Sequence, residues 1–444
     1  MEYKKFLTSA LFCSSLFIAF AEDKSDLSVK VGGSVGMQYG SMSQQKDFKN
    51  KLDTSDQYRQ NALSNTASLK FHADKKNKEG LKYGAFVKLH ANTTPSASGN
   101  VNIANEVKLY VDGGFGKVEM GSTGSVGGDM EVNSYTIARA TGGLDGDWSL
   151  WPQNGDFIAK TTTAAAIPKT TDYGFSGAFL TAPQLPIGFD ESTKAVKINY
   201  YTPEINGFTF GISYSPDSEA KGTVSQAKGL FKNSGSGYKN VFQPTAKYVK
   251  KFENGTEFST ALLGQFGKAK AVSIKDVYTI ANIDNVIAVI AATKKRKNLS
   301  AWQIGASVSH SGFAVAGSYG DWGKSGSIKD TTNPDHKFGG KYWSIGSAYS
   351  QDDYGISLNY MKSKRAGHII NYTDTTGTSQ MAYFNDTEYN KFDALSIGAD
   401  YTVMPGFMPY VEVTKFKYNK STNFGADAKF NKGTVLLLGT KIEF

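Results

Sequence analysis

Residues 27–40 read LSVKVGGSVGMQYG, and the side chains alternate along this stretch between apolar and polar. The apolar residues fall on odd positions: Leu27, Val29, Val31, Val35, Met37 and Tyr39. Polar residues such as Lys30 and Gln38 lie between them. Successive side chains of a β-strand point to opposite faces, so strict alternation predicts a strand with one apolar and one polar face.

The same pattern recurs to the end of the chain, in about sixteen segments. Tight turns rich in Asn, Asp, Gly and Pro alternate with long polar connections. The long ones lie near residues 40–60, 92–102, 122–193, 216–239, 268–297, 321–340, 363–390 and 419–431. An even strand number with short turns at one end and long loops at the other is typical of an outer-membrane barrel. In lipid an unpaired sheet edge is costly, so the sheet must close on itself. We therefore predict an all-β fold, a transmembrane antiparallel β-barrel of about 16 strands.

The first 21 residues have the three parts of a secretory signal peptide. Lys4 and Lys5 form a charged start, residues 6–20 are mostly apolar, and Ala19-Phe20-Ala21 is an A-x-A cleavage site. The apolar run is too short for a membrane-spanning helix. We predict a signal peptide at 1–21 and one barrel domain at 22–444. Cys13 is the only cysteine of the chain, so the mature protein would contain none.

Composition and charge argue against several classes of function. The net charge is +9, and removal of residues 1–21 with Glu2, Lys4 and Lys5 leaves +8. Of 49 basic residues only four are arginine, the side chain that nucleic-acid readers favour, so no nucleic-acid partner is expected. The five histidines are dispersed without metal-ligand spacing, and His72 and His90 are better explained as solvated wall residues than as a catalytic pair. No catalytic residue, metal or other cofactor is predicted.

The connection 122–193 is far longer than an ordinary loop, which favours a functional role. It holds two pairs of acids, one of the few arginines and two tryptophans: Asp129, Glu131, Arg139, Asp145, Asp147, Trp148 and Trp151. We expect this third external loop to fold inward and to narrow the lumen as a constriction loop.

Lysines are frequent on the polar faces of the strands around this loop. Seven lie out of phase with the apolar residues: Lys30, Lys70, Lys82, Lys88, Lys108, Lys117 and Lys197. They would form a basic wall opposite the loop acids, and such rings of charge tune ion selectivity. The alternative is that they only solvate the wall of a wide barrel. The lysine excess favours a mild anion preference, which the loop charges could reverse.

Two regions and the last strand resemble the general trimeric porins of Gram-negative bacteria. They are residues 106–111 (EVKLYV) leading into 114–121 (GFGKVEMG), residues 196–214 with a Tyr-Thr-Pro turn, and the strand that ends at Phe444. The resemblance implies a homotrimer in the outer membrane, a third external loop that forms the constriction, and a terminal aromatic residue, Phe444, that the barrel-assembly machinery recognises. The Pro-Glu-Phe-Gly-Gly tip of the enteric constriction loop is absent, so the detailed eyelet cannot be carried over.

The expected function is therefore a water-filled channel for passive diffusion of ions and small hydrophilic solutes, in contact with outer-membrane lipid. Two alternatives stay open: a plugged surface barrel that serves as adhesin or structural antigen, and a substrate-specific channel.

In one external loop, the apolar spacing over residues 277–292, followed by the basic run 294–297, predicts a helix at the barrel mouth rather than a membrane span.

Overall fold

The computed structural model describes residues 27–45, 59–91, 104–152, 194–222, 237–270, 272–274, 292–294, 296–327, 329, 337–365, 368–373, 379–384, 389–419 and 430–444. The predicted signal peptide and the second part of the long connection, residues 153–193, lie outside this set. The signal peptide stays a prediction.

Sixteen of the strands in the described residues form one closed antiparallel barrel, as predicted. They are β1 (Ser28–Gln44), β2 (Asn61–Lys76), β3 (Lys82–His90), β4 (Ala104–Gly113), β5 (Gly116–Ser122), β6 (Val196–Tyr201), β7 (Phe208–Asp217), β8 (Tyr238–Lys251), β9 (Glu257–Ala269), β12 (Leu299–His310), β13 (Phe313–Asp321), β14 (Gly340–Gln351), β15 (Tyr354–Arg365), β18 (Asn390–Tyr401), β19 (Phe407–Asn419) and β20 (Phe430–Glu443).

Consecutive barrel strands are neighbours, and β1 closes the ring by pairing with β20. At this seam Gly33 N donates to Phe444 O at 2.8 Å, and Phe444 N donates to Gly33 O at 3.1 Å. The last residue of the chain therefore contributes a rung to the closure, so no strand edge is left unpaired there.

The exposed face of the barrel is the apolar face that the alternation predicts. Leu27, Val29 and Met37 on or beside β1 are 63, 61 and 58% exposed, and Leu109 on β4 is 60% exposed. We call this face the apolar band, and the face formed by the alternating residues the alternate face.

Short turns and long connections alternate along the chain, as predicted. Two small hairpins lie in long connections: β10 (Val272–Ile274) with β11 (Ala292–Lys294), and β16 (His368–Thr373) with β17 (Ser379–Phe384). The helix expected over 277–292 falls mostly outside the described residues, and its last position begins β11. In the part of the chain that is described, no helix is long and apolar enough to cross a membrane.

The alternate face also carries an apolar cluster that the alternation did not predict. Its members include Trp148, Trp322, Tyr342, Met361, Phe392, Phe416, Tyr418 and Leu437, all at most 3% exposed. Most lie on β14–β20 near the long connections. In this sector the wall is lined by packed side chains rather than by solvated polar ones.

Candidate functional site

The seven predicted lysines share one face of six adjacent strands, β1–β6. Lys30 lies opposite His72, Lys70 opposite Lys88, and Lys108 opposite Gly121. Residues directly opposite each other in an antiparallel pair project to the same side. We call this part of the alternate face the lysine sector.

Carboxylates that the sequence analysis did not single out pair with several of these lysines. Lys82 Nζ lies 3.3 Å from Asp74, and Lys117 Nζ lies 2.9 Å from Glu119. Lys108 Nζ lies 3.2 Å from Glu106 and 3.3 Å from Glu119. Lys108–Glu106 and Lys117–Glu119 are neighbours two positions apart on one face of the same strand, so alternation could have signalled them. Lys82–Asp74 and Lys108–Glu119 join adjacent strands, and only the cross-strand register shows them. The lysine sector is therefore a mixed-charge wall with lysine in excess.

Lys30, Lys70 and Lys88 form no ion pair with another described residue, although Glu106 on β4 is the register partner of Lys88. The nearby Glu106 is held instead by Lys108 and by Lys194, whose Nζ lies 2.8 Å away. The ammonium groups of Lys70 and Lys88 project from directly opposite positions and repel each other, so positive charge is concentrated there. Lys197 has a different environment: it is 1% exposed and donates to the carbonyl oxygen of Thr123.

A short helix, α1 (Val126–Met130), begins the part of the long connection that is described, which we call the 123–152 segment. Ser125 caps the helix by accepting a hydrogen bond from Gly128 N at 3.3 Å. Val126 N donates to Ser213 Oγ on β7 at 2.7 Å, and the Tyr201 hydroxyl on β6 donates to Asp129. These contacts fix the helix on the alternate face of β6 and β7.

The next acid, Glu131, is buried in a local network. It accepts hydrogen bonds from the Tyr135 hydroxyl and, at 2.9 Å, from Asn133 Nδ2. Burial raises the pKa of Glu131 to about 8 and raises the pKa of Tyr135 as well. Asn133 also caps a 3-10 helix at Ser134–Ile137. At neutral pH Glu131 is therefore largely protonated.

Arg139 is the main ionic anchor of the segment. Its guanidinium binds the carboxylate of Asp400 on β18, which also accepts from Ala140 N at 2.8 Å. Arg139 N donates to Ser357 Oγ on β15 at 2.9 Å. Asp400 is 7% exposed and the Arg139 side chain is 30% exposed, so the ion pair is only partly shielded from water. The sequence analysis singled out Arg139 but not its partner.

A second wall carboxylate, Glu412 on β19, accepts from Thr141 N at 3.2 Å and from Gly143 N at 3.1 Å. Asp145 and Asp147 follow immediately, in 3-10 helices at Gly143–Asp145 and Asp147–Leu150. Burial and the neighbouring Asp147 raise the pKa of Asp145 to about 6, and burial raises the pKa of Asp147. Among the residues described, no ion pair joins the four segment acids to the seven lysines.

Trp148 joins the segment to the apolar cluster. Its ring stacks on Phe392 and Phe416 at centroid distances of 6.2 and 5.9 Å, and it is fully buried. Trp151 then packs where Gly40 of β1 leaves room. Past Thr123 the segment thus follows the wall from β6 by way of β12–β20 to β1, whereas the lysines lie on β1–β6.

Comparison with known proteins agrees with this architecture. The profile of the Gram-negative porin family matches residues 7–421. This chain belongs to the Gram-negative porin family. An uncharacterised protein of Rickettsia conorii is 24% identical over 392 residues, which cover 81% of the porin and 80% of the relative. An uncharacterised protein of Rickettsia felis is 25% identical over 397 residues, with the same coverage.

Solved structures show the same fold at low sequence identity. OmpT of Vibrio cholerae, an outer membrane protein, is 12% identical, with a TM-score of 0.52 and coverage of 95% of the porin and 99% of that chain. An anion-selective porin from Comamonas acidovorans is 13% identical, with a TM-score of 0.52 and coverage of 94 and 100%. The family and the closed barrel identify an outer-membrane channel, in which the apolar band faces lipid.

Proposed function

We propose that the 123–152 segment folds into the lumen and forms the constriction of a passive diffusion channel for ions and small hydrophilic solutes. The observation that carries this proposal is its path along the alternate face, anchored by Asp400, Glu412 and the Trp148 cluster. Barrels of sixteen strands enclose water, so a segment on the lumenal wall narrows the passage. The remaining passage would lie beside the lysine sector.

A mild anion preference follows from the charges of that sector. Eight lysines, the predicted seven and Lys76, share its face with four carboxylates, Asp74, Glu106, Asp112 and Glu119. In addition, burial keeps part of the segment acids protonated near neutral pH. Small anions would therefore cross more readily than cations of the same size.

The oligomer and its biogenesis form a second part of the proposal. We expect a homotrimer, and the trimer form of the similarly folded Vibrio cholerae OmpT supports this expectation. Phe444 would serve as the signal that the barrel-assembly machinery recognises. Its place in the β1–β20 seam supports a role in barrel closure, since its backbone forms two hydrogen bonds there.

Single-channel recording in a planar bilayer under a salt gradient tests the proposed function. We expect stable current steps in multiples of three and a reversal potential of the anion-selective sign. Replacing the directly opposed lysines in the variant K70Q/K88Q should shift the reversal potential toward cations, because two positive charges leave the lumen. The control K391Q removes an exposed lysine on the apolar-band face of β18 and should leave the reversal potential unchanged.

Other results would support other functions. No current from a correctly folded barrel would contradict the channel and favour the plugged surface barrel. Saturable block of the current by a single solute would favour the substrate-specific channel.

A further inference from the structure

A groove of about 510 Å³ lies on the apolar band where β7, β8, β9 and the start of β12 meet. It is at the end of the barrel from which the long connections 218–237 and 270–298 emerge. Long connections of this barrel class are external, so the groove opens toward the outer leaflet of the membrane.

Three aromatic side chains form the floor of the groove. Tyr214, Phe242 and Phe266 are register partners on β7, β8 and β9, and the first two rings lie 4.8 Å apart. Phe242 and Phe266 are 44 and 47% exposed. Aromatic residues at this level of a membrane barrel mark the boundary between acyl chains and headgroups.

A bulge in β8 opens the external end of the groove. The register between β8 and β9 shifts between Lys239 and Phe242, and Asn240 adopts a φ of 50°. Its side chain accepts a hydrogen bond from the Tyr214 hydroxyl at 3.1 Å. Bulges bend a strand and redirect side chains, and here the bulge places an amide beside the aromatic floor.

Positive charge collects at this polar end. Lys268 is exposed in the groove lining, and Lys239 is its register partner on β8. Within the described part of the chain, neither forms an ion pair. Asp217 is the register partner of Lys239 on β7, but its carboxylate and that of Glu219 are held by Lys270 at 2.7 and 2.8 Å. Like charges on opposed positions are unfavourable unless an anion lies between them.

Two further basic residues, Arg296 and Lys297, lie beside the same groove. Arg296 is buried against the Tyr238 ring at 5.1 Å, and the partly exposed Lys297 precedes Asn298, which lines the groove. Asn298 Oδ1 accepts from Ala269 N at 3.2 Å. The polar end thus presents ammonium groups and amides directly above an apolar floor.

We infer that this groove binds a membrane lipid with an anionic, phosphate-bearing headgroup. The acyl chain lies on Phe242 and Phe266, and the headgroup phosphate contacts Lys268 and the two asparagines. Lysine binds phosphate as a point charge, and amide N–H groups donate to its remaining oxygens. This site is independent of the channel, since it lies on the opposite face of the wall.

Quenching of Trp302 by brominated lipids measures the binding. Trp302 is 43% exposed on the apolar band of β12, diagonal to Phe266. The variant W343F removes the other exposed tryptophan, because Trp148 and Trp322 are fully buried and Trp151 packs against Gly40. The folded protein is placed in nanodiscs of phosphatidylcholine that contain either dibromo-phosphatidylglycerol or dibromo-phosphatidylcholine. We expect preferential quenching by the anionic lipid, with about a fivefold preference for each lysine that contacts it.

Matched variants decide the assignment. In the W343F background, K268Q should lower the preference about fivefold, whereas K268R should retain it and K391Q should leave it unchanged. Equal preferences in K268Q and the unaltered protein, or an equal loss in K391Q, would overturn the proposal. Release of the lipid by added inorganic phosphate would also overturn it, by assigning the site to a free anion. Heat-dependent migration on gels verifies that each variant is a folded barrel.

Discussion

Gly211, Gly305 and Gly346 are the positions at which the barrel wall makes room for the 123–152 segment. A methyl group on Gly305 would lie 1.7 Å from the carbonyl oxygen of Val132, and one on Gly211 would lie 2.2 Å from Val126 Cγ1. At Gly346 the obstacles are Asn359 and Ser134. In a strand, glycine often marks such a close approach of another backbone. One glycine on each of three strands therefore determines how closely the segment packs against the wall.

Replacing Gly305 by alanine should loosen the segment without opening the barrel. The added methyl group must displace the Val132 carbonyl, at a cost of about 1–3 kcal/mol. We expect faster amide hydrogen exchange over residues 126–137 and a noisier single-channel current. G114A is the control, because a methyl group there meets no atom within 4 Å. Equal exchange rates in the two variants would contradict the close approach.

The 123–152 segment is an element with little stability of its own. Its helices span five, four, three and four residues, far fewer than an isolated helix needs in water. Its conformation therefore depends on the wall: on Ser213 and Tyr201 at its start, on Asp400 in the middle and on the Trp148 cluster at its end. The wall carboxylates that anchor it, Asp400 and Glu412, are buried, which strengthens their hydrogen bonds to the segment relative to bonds at the surface.

Trp148→Ala should release the distal part of the segment. Removing a fully buried tryptophan costs about 3–5 kcal/mol, enough to detach an element that is held only by tertiary contacts. We expect protease cleavage between residues 140 and 152 and a larger single-channel conductance. Leu150→Ala is a matched control in the same short helix, because Leu150 is 73% exposed. Resistance of W148A to cleavage would show that Arg139 and Glu412 suffice as anchors.

For the whole molecule, the charge balance of the lumen should depend on pH in a defined direction. The pKa values of Asp145 and Glu131 are raised to about 6 and about 8, chiefly by burial, so the folded segment favours their protonated forms. The contribution of these groups to segment stability is therefore fully present below their ordinary pKa and declines as pH rises toward the raised values. Ionisation at high pH also adds negative charge to the proposed constriction.

Raising the pH from 5 to 9 should therefore weaken the anion preference, as measured by the reversal potential. The variant D145N/E131Q should remove most of this dependence. A reversal potential that is constant over this range in the unaltered protein would contradict the assignment of these acids to the lumen.

The sequence by itself determined the barrel, the strand number and the two faces of each strand. The reason is that alternation, turn residues and connection lengths are local properties, and Leu27 through Tyr39 carry them without help from distant parts of the chain. The long connection and the residues Arg139 and Trp148 could also be singled out from the sequence.

Only the tertiary structure decided the partners of Arg139 and Trp148. Asp400 lies 261 positions from Arg139, and Phe392 and Phe416 are similarly remote from Trp148. The tertiary structure also decided that Glu106 pairs with Lys194, 88 positions away, and not with Lys88, its register partner on β3. Such pairings arise when the ring closes, so no local pattern can specify them.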